Sequence, residues 1–195
     1  LTDVDGVLLN WVDGFERYMS DTHGLITIDT SDYDLAVRYG IPSNQVFSYI
    51  EAFNHSTAIG DLVPDWDATT YIYKLTKLGY RFVVVTSLSK LDSACKLRIA
   101  NLQRVYGDIF DDFVFLDIGE KKTDALKKFE GQGYAGWVED LPANAVDGHD
   151  IGLKTFLIDQ SYNSDFQHEA IQRVGGWKEI YEHFESANAN LFIQE

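Results

Sequence analysis

Basic side chains are scarce in this sequence. Its 195 residues carry 16 Lys and Arg against 31 Asp and Glu, a formal net charge of −15. A field of that sign repels polyanions, which argues against long nucleic acid or an anionic membrane surface as a partner. Cysteine is nearly absent too. The single Cys95 excludes an internal disulfide and fits a reducing, cytoplasmic setting. No apolar run approaches membrane-spanning length and no signal-peptide pattern is visible. There is no internal repeat and no low-complexity linker, and the five His are scattered, with no pair at metal-ligand spacing. An initiating Met is missing as well. Leu1 falls inside what reads as a strand, so a few native residues are expected to precede it. The oligomeric state is left open.

Apolar residues are plentiful: 45% of the chain is hydrophobic and 14% aromatic. That is enough for one substantial core and a small accessory domain. From Trp11, the positions Trp11, Phe15, Tyr18 and Met19 fall at helical spacing, with Gly24 as the stop. Residues 25–63 change character, with short pieces and many aromatics. Ser31 or Asp32 is expected to cap a brief helix ending at Gly40-Ile41-Pro42. Ser43 is expected to cap another that carries Val46, Phe47, Ile50 and Phe53.

Beyond Pro64 the rhythm becomes regular. Residues 66–78 read as a helix, and "RFVVVTS" reads as a strand buried on both faces, being continuously apolar and β-branched. A helix over 90–106, the strand "FVFLDI", a helix over 122–130, the strands "GWVED" and "KTFLID" and the closing helix "WKEIYEHF" follow. This alternation predicts an α/β fold, a Rossmann-like parallel sheet with helices on both faces. In such sheets ligands collect at the carboxyl ends of the strands.

That rule sorts the polar residues. Asp3 and Asp5, Thr86 and Ser87, and Glu139 and Asp140 each lie where an apolar strand ends, and Lys121 or Lys122 opens the helix after "FVFLDI". Asp3 and Asp5 flank one valine, so an extended backbone points them the same way. Two carboxylates that close are costly to ionise unless a cation or a proton is shared between them. Of the two lysines Lys122 is favoured, because Lys122-x-x-x-Leu126 sets it one turn before an inward apolar residue.

In this order, "DVDGVLLN", "VVVTS", "GEKKTDAL" and "WVEDLPANA" resemble the four motifs of the haloacid-dehalogenase-like hydrolases, most of them magnesium-dependent phosphatases. The match covers residues 1–9 and about 64–160. The resemblance implies a catalytic core over 1–9 and 64–195, with a small, mainly helical cap inserted over 10–63. It implies that Asp3 attacks phosphorus to form an aspartyl-phosphate, and that Asp5 protonates the leaving oxygen and then activates water. Asp3, Asp140 and the Asp5 backbone carbonyl would hold Mg²⁺. Thr86, Ser87 and Lys122 would cradle the phosphoryl oxygens. Glu139 and Asn144 would support the metal from a second layer. Gly6 would let the chain turn sharply away.

"DGVLLNWVDGFERY" and the closing "RVGGWKEIYEHF" look like the 5'(3')-deoxyribonucleotidases and their bacterial and phage relatives. This implies a small phosphorylated substrate, a nucleoside monophosphate, with Trp11 stacking on its base. The remaining aromatics Phe15, Tyr18, Phe47 and Phe53 are expected to form the cap's own core, as helically spaced aromatics usually do. Phosphatases of sugar phosphates or other small esters, phosphotransferases, halide-displacing dehalogenases and non-catalytic modules share the fold. Halide needs no proton to leave and the dehalogenase branch lacks the second Asp, so Asp5 argues against that chemistry.

Overall fold

The computed structural model describes residues 1–29, 32 and 34–191. Its centre is the extended segment 1–3, which runs through the middle of a parallel sheet. Thr2 bridges Val84 on one side and Val138 on the other. Thr2 N–H donates to Val83 O at 3.0 Å and Asp3 N–H to Val138 O at 2.9 Å. These bridges join two ladders: β1 (Phe82–Ser87) with β2 (Phe110–Leu116), and β3 (Trp137–Glu139), β4 (Thr155–Ile158) and β5 (Gln172–Val174) in that order. All of the strand pairings are parallel.

The apolar run of β1 is consumed by two faces at once, as expected. Phe82 and Val84 join a core that includes Phe156 and Trp177, while Val83 and Val85 join a second that includes Leu126 and Trp137. Between β4 and β5 lies a short 3-10 turn, Ser161–Asn163.

Directly after Leu9 the chain leaves this core, and it returns at Pro64. Leu9 and Pro64 form an antiparallel bridge, Asn10 N–H donates to Val63 O at 2.9 Å, and Asp65 N–H to Leu8 O at 3.0 Å. The excursion contains α1 (Trp11–His23), α2 (Leu35–Tyr39), α3 (Ser43–Asn54) and a 3-10 turn, Thr57–Asp61. The Asn10 side chain accepts from Asp13 N–H at 3.2 Å to start α1, and Gly24, at φ +66°, closes it in the left-handed region. Phe15 and Met19 are its buried face. An ion pair between Arg38 and Glu16 ties α2 to α1. Phe15, Phe53, Ile59 and Leu62 share one core with Val4 and Leu8, so this excursion and the sheet bury a continuous apolar mass.

The remaining helices cover the sheet: α4 (Ala68–Lys77), α5 (Asp92–Tyr106), α6 (Thr123–Lys127), α7 (Pro142–Asp150) and α8 (Trp177–Leu191). The closing helix is latched from a distance. Asp67 accepts the N–H groups of Trp177 at 3.1 Å and Lys178 at 2.9 Å, capping α8 from over a hundred residues away, and the buried Trp177 indole donates to Val7 O at 2.8 Å.

Three local expectations are corrected. Ser31 lies outside the described residues, and α2 is capped by Asp34, whose carboxylate accepts Ala36 N–H at 2.8 Å. Asp32 instead accepts Asp34 N–H at 2.8 Å, two residues too early for the helix. Ser43 is the first helical residue of α3, and the cap position is Pro42, whose side chain offers no acceptor. Phe47 is 44% exposed rather than part of a cap core, since it lines the open cleft. No helix among the described residues is long and apolar enough to cross a membrane.

Candidate active site

Each sheet segment ends at the same rim, and the chain turns there under tight control. After Asp3 the backbone folds back so that Leu8 and Leu9 N–H both donate to Val4 O, at 2.7 and 2.9 Å. This buries Val7, Leu8 and Leu9 and leaves Asp5 at the rim. Gly6 sits at φ +74°, and a Cβ there would collide with Asp140 Oδ2. Glycine is required at this position for its conformation and for the close approach of another strand's carboxylate.

Three carboxylates meet at the rim: Asp3, Glu139 and Asp140 are buried, with one ligand atom from each inside a 4.8 Å span. Among the described residues a single ammonium faces them. Lys122, 2% exposed, reaches Asp3 Oδ1 at 2.7 Å and Glu139 Oε2 at 2.8 Å. Lys121 is exposed, so the geometry distinguishes the two lysines. Burial, then the Glu139 charge, pushes the Asp3 carboxyl up to about 7, against the pull of Lys122. Asp140 is raised well above the usual carboxylate range by burial, Glu139 and Asp3. Burial acts on Glu139 in the same sense, yet Lys122, a side-chain hydrogen bond with the Asp140 carboxyl and the Leu141 N–H hold it below its ordinary value. Lys122 is raised, the two carboxylates outweighing its burial.

Those partners divide the labour. Glu139 spends Oε2 on Lys122 and Oε1 on the N–H groups of Asp140 and Leu141, both at 3.1 Å. It orients the lysine and the turn, which leaves Asp3 and Asp140 as the carboxylates with capacity for a cation. Hard oxygen donors with more negative than positive charge suit a hard divalent cation rather than a soft metal.

Thr86, at the end of β1, is buried and its hydroxyl has no hydrogen-bond partner among the described residues. Such a group costs stability unless a ligand completes it. Ser87 and Asn144 line the same cleft, which has a volume of about 760 Å³. No hydrogen bond among the described residues joins the Asn144 amide to Asp140; the Asn144 backbone carbonyl accepts the Trp137 indole N–H at 3.1 Å. On the opposite wall lie Trp11, Val12, Leu35, Val46, Phe47 and Ile50. Trp11 stacks on Phe15 at 4.9 Å between centroids and donates to Asn54 Oδ1 at 2.9 Å. It is therefore both a cleft residue and an anchor of α1 to α3.

Sequence reasoning missed two groups. Arg98, fully buried on α5, pairs with Asp5. A charged residue within the buried stripe Ala94, Arg98, Asn101 and Leu102 was the available signal. Tyr162 donates its hydroxyl to Asp140 Oδ2. The strand-end rule, extended to the end of β4, would have reached it.

This sheet, with its rim of strand-end carboxylates, is the haloacid-dehalogenase-like fold. The solved structures that superpose on it include CbbY from Rhodobacter sphaeroides in complex with phosphate, at TM-score 0.62 and 16% identity over 92% of this chain and 94% of that one. A CbbY mutant in complex with xylulose-(1,5)bisphosphate matches at 0.60 and 17%, over 91% and 93%. The L-2-haloacid dehalogenase of Xanthobacter autotrophicus, with chloropropionic acid covalently bound, also matches at 0.60, with 10% identity over 94% and 96%. At the sequence level no family model matches. A protein of Enterobacteria phage T4, described as an uncharacterized 32.4 kDa protein in the Gp30-rIII intergenic region, is 28% identical over 148 residues. That match takes in 72% of this chain and 53% of the phage protein, so the chain spans about half the length of its relative.

Proposed function

We propose that this chain is a Mg²⁺-dependent phosphomonoesterase that works through an aspartyl-phosphate on Asp3, with a nucleoside monophosphate as substrate. The observation that carries the reading is the ion-pair chain Asp3–Lys122–Glu139 beside Asp140, in one cleft with a buried Thr86 hydroxyl that lacks a partner among the described residues.

In this reading Asp3 Oδ attacks phosphorus as the bond to the leaving oxygen breaks, and Asp5 delivers the proton that an alkoxide needs. Asp5 then takes a proton from water, which attacks phosphorus and breaks its bond to Asp3, releasing inorganic phosphate. Lys122 and Thr86, with Ser87 beside them, hold the phosphoryl oxygens. Asp3, Asp140 and the Asp5 carbonyl hold the cation, with Asn144 at the edge of that site. Bound there, it supplies charge that lets an anionic nucleophile meet an anionic phosphate.

The segment 10–63 acts as the cap over residues 1–9 and 64–195. Its cleft-facing wall combines an exposed Phe47, the ring of Trp11 and four aliphatic side chains with the polar Asp34, Arg38, Ser43 and Asn54. The rings suit a flat base better than a polyhydroxylated sugar, whose hydroxyls need hydrogen-bond partners. A sugar-phosphate substrate is the second reading, favoured by the bisphosphate in the CbbY complex. A cytoplasmic setting fits the free thiol of Cys95. Phosphate release from deoxynucleoside monophosphates, sugar phosphates and a small aryl phosphate, with and without Mg²⁺, tests the proposal. Mg²⁺-dependent turnover with nucleotides preferred is expected. Preference for sugar phosphates selects the second reading, and no release from any substrate rejects both.

A further inference from the structure

The 3-10 turn Ser161–Asn163 reaches the site from beyond the four motif segments, and it is tied down on every side. Gln160 and Asn163 cap it reciprocally. Asn163 Nδ2 donates to Ile158 O and to Asp140 O, each at 2.8 Å. Arg173 clamps the turn from β5, donating to Asn163 O at 2.9 Å and Phe166 O at 3.0 Å while pairing with Asp159 at 2.5 Å. Gln160 Nε2 donates to Gly6 O at 3.0 Å, so one turn grips both the nucleophile loop and the Asp140 loop. A phenol mounted on such a turn has little freedom to drift.

That phenol belongs to Tyr162, and it donates to one particular oxygen, Asp140 Oδ2. The same oxygen is enclosed from a second direction by the Gly6 backbone, where a Cβ would collide with it. Oδ2 is thus committed, and Oδ1, on a carboxyl that also meets the Glu139 side chain, is the oxygen left for a cation.

The distinction matters for which cation fits. Mg²⁺ takes single oxygens in a tight octahedron at about 2.1 Å, whereas Ca²⁺ takes six to eight ligands at about 2.4 Å and often clasps a carboxylate through both oxygens. From this geometry we infer that Tyr162 is a positioning residue that sets metal selectivity: by occupying Asp140 Oδ2 it denies calcium the two-oxygen clasp and tunes the site to Mg²⁺. The inference rests on the proposal that Asp140 is a metal ligand.

Mg²⁺ and Ca²⁺ affinities measured by calorimetry on the purified chain and on Tyr162→Phe test it without reference to turnover. The variant removes one hydroxyl from a half-buried side chain, and a melting curve checks its fold. Mg²⁺ affinity should fall by about tenfold as the carboxylate loses its orienting partner. Ca²⁺ affinity should hold or rise, since the freed oxygen is then available to it. The preference for Mg²⁺ therefore narrows by about tenfold or more. Equal losses for both cations, or no change in either, overturn the inference while leaving the metal site intact. Absence of Mg²⁺ binding that Asp140→Asn abolishes would remove the metal site, and the inference with it. A Ca²⁺-loaded crystal structure of the unmutated chain gives a second reading. Coordination by Asp140 through Oδ1 alone, with the phenol still on Oδ2, supports the inference; two-oxygen coordination with Tyr162 displaced overturns it.

Discussion

Asp5→Asn should cost stability as well as turnover, and the structure sets the size of both. Arg98 has a fully buried side chain, and Asp5, 24% exposed, is its ion-pair partner. Arg98 Nε and Nη2 have no hydrogen-bond partner among the described residues, so little else compensates the guanidinium. Breaking a buried pair from one side costs about 3–5 kcal/mol, because it strands the other charge. The partial exposure of Asp5 and the carbonyl that Asn retains put this case at the low end, about 3 kcal/mol. For a chain of this length that corresponds to a melting temperature lower by about 6–12 °C. Turnover of a substrate with an alkoxide leaving group should fall by about 10²- to 10⁴-fold, the usual worth of a general acid–base. The double variant Asp5→Asn/Arg98→Met separates the two effects. Thermal melting should recover most of the lost stability, since an apolar replacement for a buried pair is often near neutral. Phosphate release should stay lost. An unchanged melting temperature in Asp5→Asn would refute the stranded-charge argument, and recovered turnover in the double variant would refute the proton role of Asp5.

Trp11→Ala should raise KM for a deoxynucleoside monophosphate by about 5- to 150-fold, the range of base stacking on an aromatic, while hydrolysis of a small aryl phosphate barely changes; equal losses on both would reduce Trp11 to an anchor between Phe15 and Asn54. Gly6→Ala should abolish turnover and lower the melting temperature, because the new Cβ meets Asp140 Oδ2 in a left-handed conformation; a variant with near-normal melting and activity would contradict the close approach of the two loops. Asp65 is pushed up to about 6 from 3.8 by burial, then by Asp67. The folded state therefore holds a proton that the unfolded chain has lost, and stability drains away as pH rises through that window. Asp65→Asn should raise the melting temperature near neutral pH by a few degrees, after allowance for solvent screening, and leave it unchanged below pH about 4; an equal gain at both pH values would show that charge is not the cause.

The order of β1 to β4 and of the helices between them was legible because those strands are short, largely apolar and bounded. The β1 run "FVVVTS" is buried on both faces, and a sequence can announce that directly. The position of Lys122 was legible because its helical spacing to Leu126 is local. The caps of α2 and α3 were not, since Ser31, Asp32, Asp34 and Ser43 offer near-equivalent polar starts and tertiary contacts choose among them. β5 was missed for a similar reason: Gln172–Val174 is three residues long, and its identity as a strand comes from pairing with β4. Arg98 and Tyr162 reach the site from 93 residues after Asp5 and 22 after Asp140. No spacing rule connects residues that meet only because α5 and the turn after β4 pack over the rim.

The covalent step on Asp3 is the centre of the account, and acid quenching tests it most directly. The chain is mixed with a turned-over phosphomonoester and Mg²⁺, quenched in acid within the first turnover, digested, and its peptides weighed. One added phosphoryl group is expected on the peptide containing Asp3, removed by hydroxylamine as an acyl phosphate is, and absent from Asp3→Asn. Substrate turned over at full rate by Asp3→Asn, or a phosphoryl group carried on any other residue, would contradict it.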